Sequence, residues 1–328
     1  MNPAADTALP YPSGWFCLAP SHELAAGAVL TRALAGEDVV LYRTMPGAAH
    51  AVRPHCPHLG AHLGIGGTVE GQNLLCPFHR FAFAPDGTCV SAPGSLPPRA
   101  RLAQLPVRER NGMLFVWYGH EGARPGWELP DELGTAVPTS WWTRDVATHP
   151  QEVIENIVDY RHLAALHGAS AREVAPPEVQ GPFLRLHLSF GVERHPRAER
   201  LFAGTRQEVL LGGLGILLTR LPLPRFGLLF HLWSLPTPIG PWESRLRCAA
   251  SCTVTDRRRF PGPGLLRTPL SGIAAHAVRR AAVELLEQDI PIWNHKRYEP
   301  HPRLARGDEM ISRFRRWARQ FYPDGGLA

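Results

Sequence analysis

The chain has 328 residues, of which 44% are hydrophobic and 20% charged, and it carries a formal net charge of +6. This composition supports a packed core and excludes a disordered chain, and the length predicts two domains. Six cysteines in a chain of this length exclude a disulfide framework. The N-terminal sequence "MNPAADTALPYPSGW" lacks the basic and apolar segments of a signal peptide, so a cytoplasmic protein is expected.

The apolar and charged runs limit the class of partner. The most apolar stretch, residues 209–233, contains Arg220, Arg225 and prolines, so no membrane-spanning helix is predicted. Basic residues cluster in 256–260 and 313–320, and no nucleic-acid-binding motif accompanies them. We expect these clusters to be solvated surface or a docking surface for an acidic partner, with neither membrane insertion nor bound nucleic acid.

Residues 14–118 consist of short apolar or β-branched runs of strand length, separated by turns. The runs are "AVLTRAL", "DVVLYRT", "LLCPF" and "GMLFVWY", and the Pro-Asp-Gly turn in "APDGTCV" (84–90) predicts a hairpin. This half is therefore predicted to be an all-β domain. Residues 119–150 are rich in glycine and proline and show no period, so we place the junction there, with domains over 1–125 and 126–328.

The second half mixes helical and strand patterns. Residues 150–168 and 273–290 have helical spacing, and 180–255 contains several strand-like runs. A final helix is predicted over 308–321, with four apolar residues on one face: Ile311, Phe314, Ala318 and Phe321. Strands flanked by helices, without regular alternation, predict an α+β fold around an antiparallel sheet.

Two loops of the first half each carry a cysteine–histidine pair, Cys56-x-His58 and Cys76-x-x-His79. Two such loops can hold one metal centre between them. One interpretation is a structural zinc with two cysteine and two histidine ligands. The mixed pairs favour the other interpretation, an asymmetric two-iron cluster with thiolates on one iron and imidazoles on the other.

The motifs "CPHLGAH" and "CPFHRF" resemble the Rieske 2Fe–2S domain, and the resemblance runs over residues 14–118. It implies one 2Fe–2S cluster, in which Cys56 and Cys76 bind one iron and His58 and His79 bind the other. The sequence "HRF" at 79–81 departs from the family, where many members have His-Gly-Trp or a similar sequence. This departure changes the surroundings of the cluster and not its ligands.

Several other histidines and cysteines lie off this pattern. His55 and His62 are close to the first motif, and we expect them to be loop or surface residues. Four cysteines in apolar surroundings are predicted to be buried, unreactive thiols, namely Cys17, Cys89, Cys248 and Cys252.

The segment "QEVIENIVDYRHLAALHG" (151–168) holds a second set of candidate ligands. Asn156, Asp159 and His162 are each three residues apart, which places them on one face of a helix. His167 follows five residues later, about 140° round an ideal helix, so both histidines reach one metal only if the helix bends or ends there. Gly168 is predicted to end this helix.

Two histidines and one carboxylate form the facial triad of non-haem Fe(II) oxygenases, which leaves positions open for dioxygen. The segment resembles the Asn-x-x-Asp-x-x-His-x-x-x-x-His signature of Rieske non-haem iron oxygenases. The resemblance implies that His162 and His167 bind a mononuclear Fe(II) and that Asn156 lies close to it. It also implies that Asp159 is the acidic bridge between the Rieske histidine of a neighbouring subunit and an iron-ligand histidine.

The third iron ligand must be a distant carboxylate. Within 275–298, steps of four, three and four residues define an apolar helix face made of Val278, Ala282, Leu285 and Asp289. Glu284 and Glu287 lie off that face. A lone buried carboxylate is costly unless it is paired or metal-bound, so Asp289 is predicted to be the ligand. Its surroundings, "EQDIPIW", resemble the corresponding family helix, and Pro291 is predicted to end the helix just beyond.

The resemblance covers most of the chain. One branch of the family, that of 3-ketosteroid 9α-hydroxylases and cholesterol 7-desaturases, is resembled in particular by "CPHLGAHLG" and by the C-terminal sequence from "IWNHKRYEPHP" onward. This implies a helix-grip (START-like) catalytic domain with an antiparallel sheet. The implied activity is that of an oxygenase component, which uses O2 to hydroxylate or desaturate a hydrophobic, sterol- or steroid-like polycyclic substrate. Its pocket is expected to be lined by residues 180–255.

Electrons are expected from separate proteins, because no flavin or nicotinamide motif is visible in the chain. The resemblance implies a ferredoxin with an NAD(P)H-dependent reductase, or a single reductase, and a homotrimer. Two alternatives stay open. One is a Rieske monooxygenase or demethylase acting on another aromatic compound or secondary metabolite, and the other is an electron-transfer Rieske protein without oxygenase activity.

Overall fold

A computed structural model of the chain describes residues 9–192, 205–256, 258–259 and 267–323. The chain divides into an N-terminal unit, Trp15–Glu128, and a C-terminal unit that runs from Leu129 onward and includes the residues before Trp15. No helix in the described ranges combines the length and the apolar character needed to cross a membrane.

The N-terminal unit is made of short strands. They are β1 (Gly14–Pro20), β2 (Val29–Leu34), β3 (Glu37–Arg43), β4 (Ala49–Val52), β5 (Thr68–Glu70), β6 (Asn73–Leu75), β7 (Ala82–Phe83), β8 (Cys89–Ser91), β9 (Gln104–Leu105), β10 (Val107–Arg110) and β11 (Met113–Tyr118). In the described residues they form three sheets, with the orders β1-β11-β10, β2-β3-β4-β9 and β5-β6-β7-β8. The prediction of an all-β first half is confirmed.

The predicted hairpin lies between β7 and β8. Its turn is closed by the N–H of Gly87, which donates to the carbonyl oxygen of Ala84 at 2.8 Å. Gly87 has a φ of +89°, a conformation that glycine adopts without steric cost. The predicted strand "LLCPF" ends at Leu75, because the chain from Cys76 onward forms a loop.

The C-terminal unit is centred on an antiparallel sheet. Its strands are β12 (Ser140–Val146), β13 (Ala169–Gln180), β14 (Phe183–Val192), β15 (Arg206–Gly212), β16 (Ile216–Leu223), β17 (Leu228–Gly240) and β18 (Glu243–Val254). The order is β12-β18-β17-β16-β15-β14-β13, so β13 to β18 form a meander and β12 pairs at the edge with β18. β12 lies in the segment predicted to be an aperiodic junction. The local sequence does not indicate this strand, which forms by pairing with β18.

The helices of this unit are α1 (Pro150–Glu155), α2 (Tyr160–His162), α3 (Arg267–Trp293) and α4 (Glu309–Ala318). On β14, Leu184, Leu186 and Leu188 are buried and alternate with polar residues, as expected for a strand with one face in the core. They pack in one cluster with Ile154 of α1 and Phe314 of α4. The α+β prediction and the apolar face of the final helix are confirmed.

The long helix α3 continues through Pro291 to Trp293, so the prediction that Pro291 ends the helix is wrong. Proline has no N–H to donate to the preceding turn. The following turn is nevertheless closed, since the N–H of Asn294 donates to the carbonyl oxygen of Ile290 at 2.9 Å. Ile290 and Trp293 pack with Val146 of β12, which stabilises the last turn.

The predicted basic clusters are only partly solvated. Arg315 donates two hydrogen bonds to the carboxylate of Glu155, at 2.7 and 2.8 Å. The exposed arginines of 313–320 are Arg313, Arg316 and Arg319. In 256–260, Arg257 and Phe260 lie outside the described residues, and Arg259 pairs with Asp256 at 3.2 Å.

His149 caps the start of α1 and is buried, with 1% of its surface exposed. Its Nδ1 accepts the N–H of Gln151 at 3.1 Å, which leaves the ring proton on Nε2, 3.2 Å from the carbonyl oxygen of Pro10. Burial lowers the pKa of His149 to about 3, although the contact with Pro10 opposes this. The folded protein therefore keeps this histidine neutral.

We expect the free energy of unfolding to fall as the pH is lowered from about 7.5 to about 5, with about 2 kcal/mol of the loss due to His149. Below about pH 6.5 the unfolded chain binds a proton on this residue, whereas the folded chain does not until about pH 3. Urea unfolding of the wild type and of His149→Asn at both pH values measures the effect. Asparagine also caps helices but does not titrate, so an equal loss in both proteins would contradict the assignment.

Candidate metal centres

Two loops of the N-terminal unit bring the cysteine–histidine pairs together. Cys56 and His58 lie in the loop after β4, and Cys76 and His79 lie in the loop after β6. Cys56 and Cys76 are 2% and 1% exposed, while His58 is exposed and His79 half-buried. The two imidazole rings are 4.8 Å apart. The thiols thus face the protein interior and the imidazoles face solvent.

The surroundings of Cys56 suit a metal-bound thiolate. Burial raises the pKa of the Cys56 thiol to about 11, and the amide N–H groups of His58 and Leu59 oppose this by hydrogen bonding to the sulfur. Cys76 is close enough to interact with the same sulfur. Amide donors to sulfur stabilise iron–sulfur clusters, and a bound metal deprotonates its coordinating thiols.

A single zinc fits these four side chains less well than a two-iron cluster. Tetrahedral zinc, with bonds of about 2.0–2.3 Å, would bring all four ligand atoms to within about 4 Å of one another. Across the described ranges, the only group of three or more candidate ligands whose atoms all lie within 4.8 Å is His162, His167 and Asp289. The mixed donors and wider spacing of the cysteine–histidine group fit a cluster that separates its thiolates from its imidazoles.

The second loop is packed and tethered by residues next to the motif. Phe81 stacks on His58, with ring centroids 4.5 Å apart and planes at 13°. Arg80 has a φ of +59°, a left-handed conformation that glycine adopts more readily. Its guanidinium donates to the hydroxyl of Thr68 at 3.0 Å and pairs with Glu70, both on β5. Arg80, one of the residues that depart from the family pattern, therefore ties this loop to β5.

The off-pattern histidines have protein partners of their own. Nε2 of His62 is 3.2 Å from Oδ2 of Asp38, and Nδ1 of His55 is 3.1 Å from the carbonyl oxygen of Gly60. These contacts agree with the expected loop or surface role. The four remaining cysteines are free, with three of them buried and Cys252 half-buried.

A second centre lies in the C-terminal unit, where His162, His167 and Asp289 converge. Nε2 of His167 is 3.2 Å, and Nε2 of His162 is 3.9 Å, from Oδ1 of Asp289. Asp289 is 4% exposed, whereas Glu284 and Glu287 are exposed, as the helical spacing predicted.

The backbone between the two histidines forms a π-helical turn, Leu163–His167. The N–H of Gly168 donates to the carbonyl of Leu163, five residues back, so the turn holds one residue more than an α-helical turn. The extra residue brings His167 round toward His162, which reduces the mismatch of about 140° in an ideal helix. Gly168 then ends the helix with a φ of 61°, as predicted.

Asp159 interrupts the helix, so the prediction of one continuous helical face for Asn156, Asp159 and His162 is wrong. Asn156–Val158 form a 3-10 turn, and Asp159 leaves the helical conformation with a ψ of 82°. Its carboxylate caps the next turn by accepting the N–H of His162 at 3.3 Å. Asn156 donates a hydrogen bond to the carboxylate of Asp289.

The polar atoms of this second centre fit a divalent cation. Nδ1 of His162 donates to the carbonyl oxygen of Asp159, and the buried Nε2 of His162 has no hydrogen-bond partner among the described residues. Burial raises the pKa of the Asp289 carboxyl, opposed by His167, His162 and Asn156. Two imidazole nitrogens and a buried carboxylate are the donor set of the Fe(II) facial triad.

One side of the second centre opens to solvent. Asp159 and His162 border a concavity of about 680 Å³, whose other lining residues are Arg161, Ala164, Ala165, Asp308 and Ile311. The side chain of Asp159 is 36% exposed and lies beside the His162 ring, with Oδ2 3.9 Å from Nδ1. An approaching protein surface can therefore reach Asp159 without displacing a buried residue.

An all-β unit with a mixed cysteine–histidine site, on one chain with a two-histidine, one-carboxylate site, defines the class of Rieske non-haem iron oxygenases. The chain matches the Rieske [2Fe-2S] domain family over residues 14–106. It matches the 3-ketosteroid 9alpha-hydroxylase C-terminal domain family over residues 116–322. The chain therefore belongs to the Rieske oxygenases with a catalytic domain of the 3-ketosteroid 9α-hydroxylase type.

Curated relatives agree with this assignment. Cholesterol 7-desaturase of Bombyx mori is 31% identical, over 97% of this chain and 71% of its own length. A probable 3-ketosteroid-9-alpha-monooxygenase oxygenase component of Rhodococcus rhodochrous is 27% identical, over 96% of this chain and 80% of its own length. The chain is therefore an enzyme, and the alternative of an electron-transfer protein without oxygenase activity is not retained.

Solved structures share the fold. Dicamba monooxygenase bound to dicamba has a TM-score of 0.64 at 18% identity, and the match covers 95% of this chain and 98% of that one. Dicamba monooxygenase has also been solved with non-heme iron and dicamba. The cofactors of this oxygenase class are a 2Fe–2S cluster and a mononuclear non-haem iron.

The sequence did not point to Gln288, which contacts the second centre. Its side-chain oxygen lies 3.2 Å from Nδ1 of His167. Gln288 is exposed on α3, off the apolar face, and the pattern alone is that of a solvated residue. The only sequence signal is its position directly before Asp289.

Proposed function

We propose that this chain is the oxygenase component of a Rieske system that hydroxylates or desaturates a hydrophobic, sterol- or steroid-like polycyclic substrate. The observation that carries the proposal is the convergence of His162, His167 and Asp289 in a chain with a Rieske domain. The relatives support the substrate class, since they are named cholesterol 7-desaturase and 3-ketosteroid-9-alpha-monooxygenase.

Each metal centre has its own proposed ligands. The 2Fe–2S cluster is held by Cys56, His58, Cys76 and His79. The mononuclear Fe(II) is held by His162, His167 and Asp289, and when bound it supplies the activation of dioxygen.

The neighbouring polar residues hold these ligands in place. The carbonyl oxygen of Asp159 accepts the Nδ1 proton of His162, so that Nε2 is free for the metal. The hydrogen bond from Asn156 orients the carboxylate of Asp289. In the proposed homotrimer, the partly exposed carboxylate of Asp159 meets a cluster-binding histidine of a neighbouring subunit and relays electrons to His162.

Electrons are proposed to come from a ferredoxin and an NAD(P)H-dependent reductase, or from a single reductase, in the cytoplasm. A relative named as an oxygenase component supports a system of several proteins. The exposed Arg313, Arg316 and Arg319 on and just after α4 suit an acidic electron donor.

The substrate region is proposed to lie on the side of the sheet that faces the helices. Thr219 of β16 and Leu232 of β17 are paired across the two strands, and both are half-buried. Residues two apart on a strand share a face, so Thr219 lies between Leu217 and Leu221. Leu217 packs in the cluster with α1 and α4, and Leu221 packs in another with α3. The region between these two apolar clusters supports a pocket for a hydrophobic substrate.

A product screen tests the proposed function. The purified enzyme, with a ferredoxin–reductase pair, NADH and O2, is expected to convert a member of a panel of sterols and 3-ketosteroids. Mass spectrometry should find a product heavier by one oxygen atom, labelled from ¹⁸O2, or a product lighter by two hydrogen atoms. Conversion only of a comparison panel of methylated and simple aromatic compounds would overturn the substrate class and favour the monooxygenase or demethylase alternative.

A further inference from the structure

The proton position on His167 depends on a single side chain. Oε1 of Gln288 lies 3.2 Å from Nδ1 of His167, and Nε2 of Gln288 donates to the carbonyl oxygen of Glu284 at 3.2 Å. Only the NH2 group of an amide can donate to a carbonyl, so the amide oxygen must face the imidazole. In the neutral imidazole, Nδ1 of His167 therefore carries the proton, and Nε2, 3.2 Å from Oδ1 of Asp289, is the nitrogen left for a metal.

The two histidines of this centre are oriented by different kinds of partner. The proton on Nδ1 of His162 is held by a backbone carbonyl, that of Asp159, which no substitution removes. The proton on Nδ1 of His167 is held by the Gln288 side chain, which a substitution does remove. Outer partners of this kind fix the tautomer and the ring orientation of a metal-binding histidine and raise its basicity.

We infer that Gln288 is a positioning residue for the mononuclear metal, which it serves by holding His167 in the tautomer that presents Nε2. This inference rests on the proposed function, because it takes His162, His167 and Asp289 to be the metal ligands. Gln288 itself does not touch the metal, since its amide is engaged by His167 and by the backbone of its own helix.

Two substitutions separate this role from a packing role. Gln288→Met keeps the length of the side chain and removes the hydrogen bond to His167, so the affinity for a divalent metal should fall about 10- to 100-fold. Gln288→Glu keeps an oxygen facing Nδ1, and a carboxylate accepts the proton more strongly than an amide. The affinity of Gln288→Glu should therefore equal or exceed that of the wild type.

The measurement is calorimetric titration with Co²⁺ of full-length, cluster-loaded enzyme from which the mononuclear iron has been removed. Glu284→Gln is the matched control, because Glu284 contributes only its backbone carbonyl to the Gln288 contact. The visible spectrum of the cluster and the melting temperature report whether each variant is folded. If the methionine variant does not fold, failure of the glutamate variant to retain wild-type affinity overturns the inference.

The result distinguishes this inference from the function on which it rests. Wild-type affinity in Gln288→Met, together with loss of Co²⁺ binding in Asp289→Ala, would overturn the role of Gln288 alone. Co²⁺ binding that persists in Asp289→Ala would instead overturn the proposed metal site.

Discussion

Replacement of Asp289 by alanine is expected to remove the mononuclear iron and to lower turnover to below about 1% of the wild-type rate. The substitution leaves only two imidazole ligands, and it removes the one anionic donor of the site. Loss of an outer partner already costs about 10- to 100-fold in metal affinity, so loss of a ligand should cost at least as much. The 2Fe–2S spectrum should be unchanged, because its proposed ligands lie in the other unit.

Iron analysis and product formation measure this effect. We expect three irons per wild-type chain and two per Asp289→Ala chain, as two are held in the cluster. Glu287→Ala is the matched control, since Glu287 lies on the same helix but pairs with Arg144 at 3.0 Å on the exposed side. A variant that keeps the third iron and its activity would rule out Asp289 as a ligand.

Asp159→Asn is expected to keep both metal centres but to slow electron transfer between them by about 100-fold or more, the scale of loss from misplacing a reacting group. The carboxylate, whose side chain is 36% exposed, is the proposed charged link beside His162, and asparagine removes its charge. Asparagine also caps helices, so the following turn should persist. The backbone carbonyl that holds His162 is unaffected by the change.

Stopped-flow spectroscopy of the pre-reduced enzyme, mixed with O2 and substrate, follows the reoxidation of the cluster directly. Asp308→Asn is the control, because Asp308 lines the same concavity but its carboxylate pairs with Arg161, at 3.8 Å. Slow reoxidation in Asp159→Asn, with a full iron content, is the expected result. Equal rates in the two variants would remove Asp159 from the electron path.

The candidate ligands could be predicted because their signals are local. A cysteine and a histidine separated by one or two residues must enter one loop together, whatever the rest of the chain does. Asp289 could be placed because a helix repeats every 3.6 residues, which separates it from Glu284 and Glu287 without further knowledge of the fold. The antiparallel sheet could be predicted because strand-like runs are flanked by helical segments without regular alternation.

The features that could not be predicted depend on contacts from elsewhere in the chain. The edge strand β12 forms because β18 offers it a partner, and its own sequence shows no alternation. At Asp159 the helix is interrupted, and a side-chain cap replaces a regular backbone hydrogen bond. The helical spacing of the sequence does not predict this replacement. Gln288 is exposed, and only its contact with His167 distinguishes it from other solvated residues.

The π-helical turn between His162 and His167 makes the proposed iron site depend on the backbone conformation as well as on the identity of its ligands. Because His167 follows His162 by five residues, a regular α-helical turn over the same residues would carry one imidazole about 140° away from the other. In the evolution of such a chain, a change that converts this turn to a regular α-helix can therefore abolish catalysis without altering any ligand.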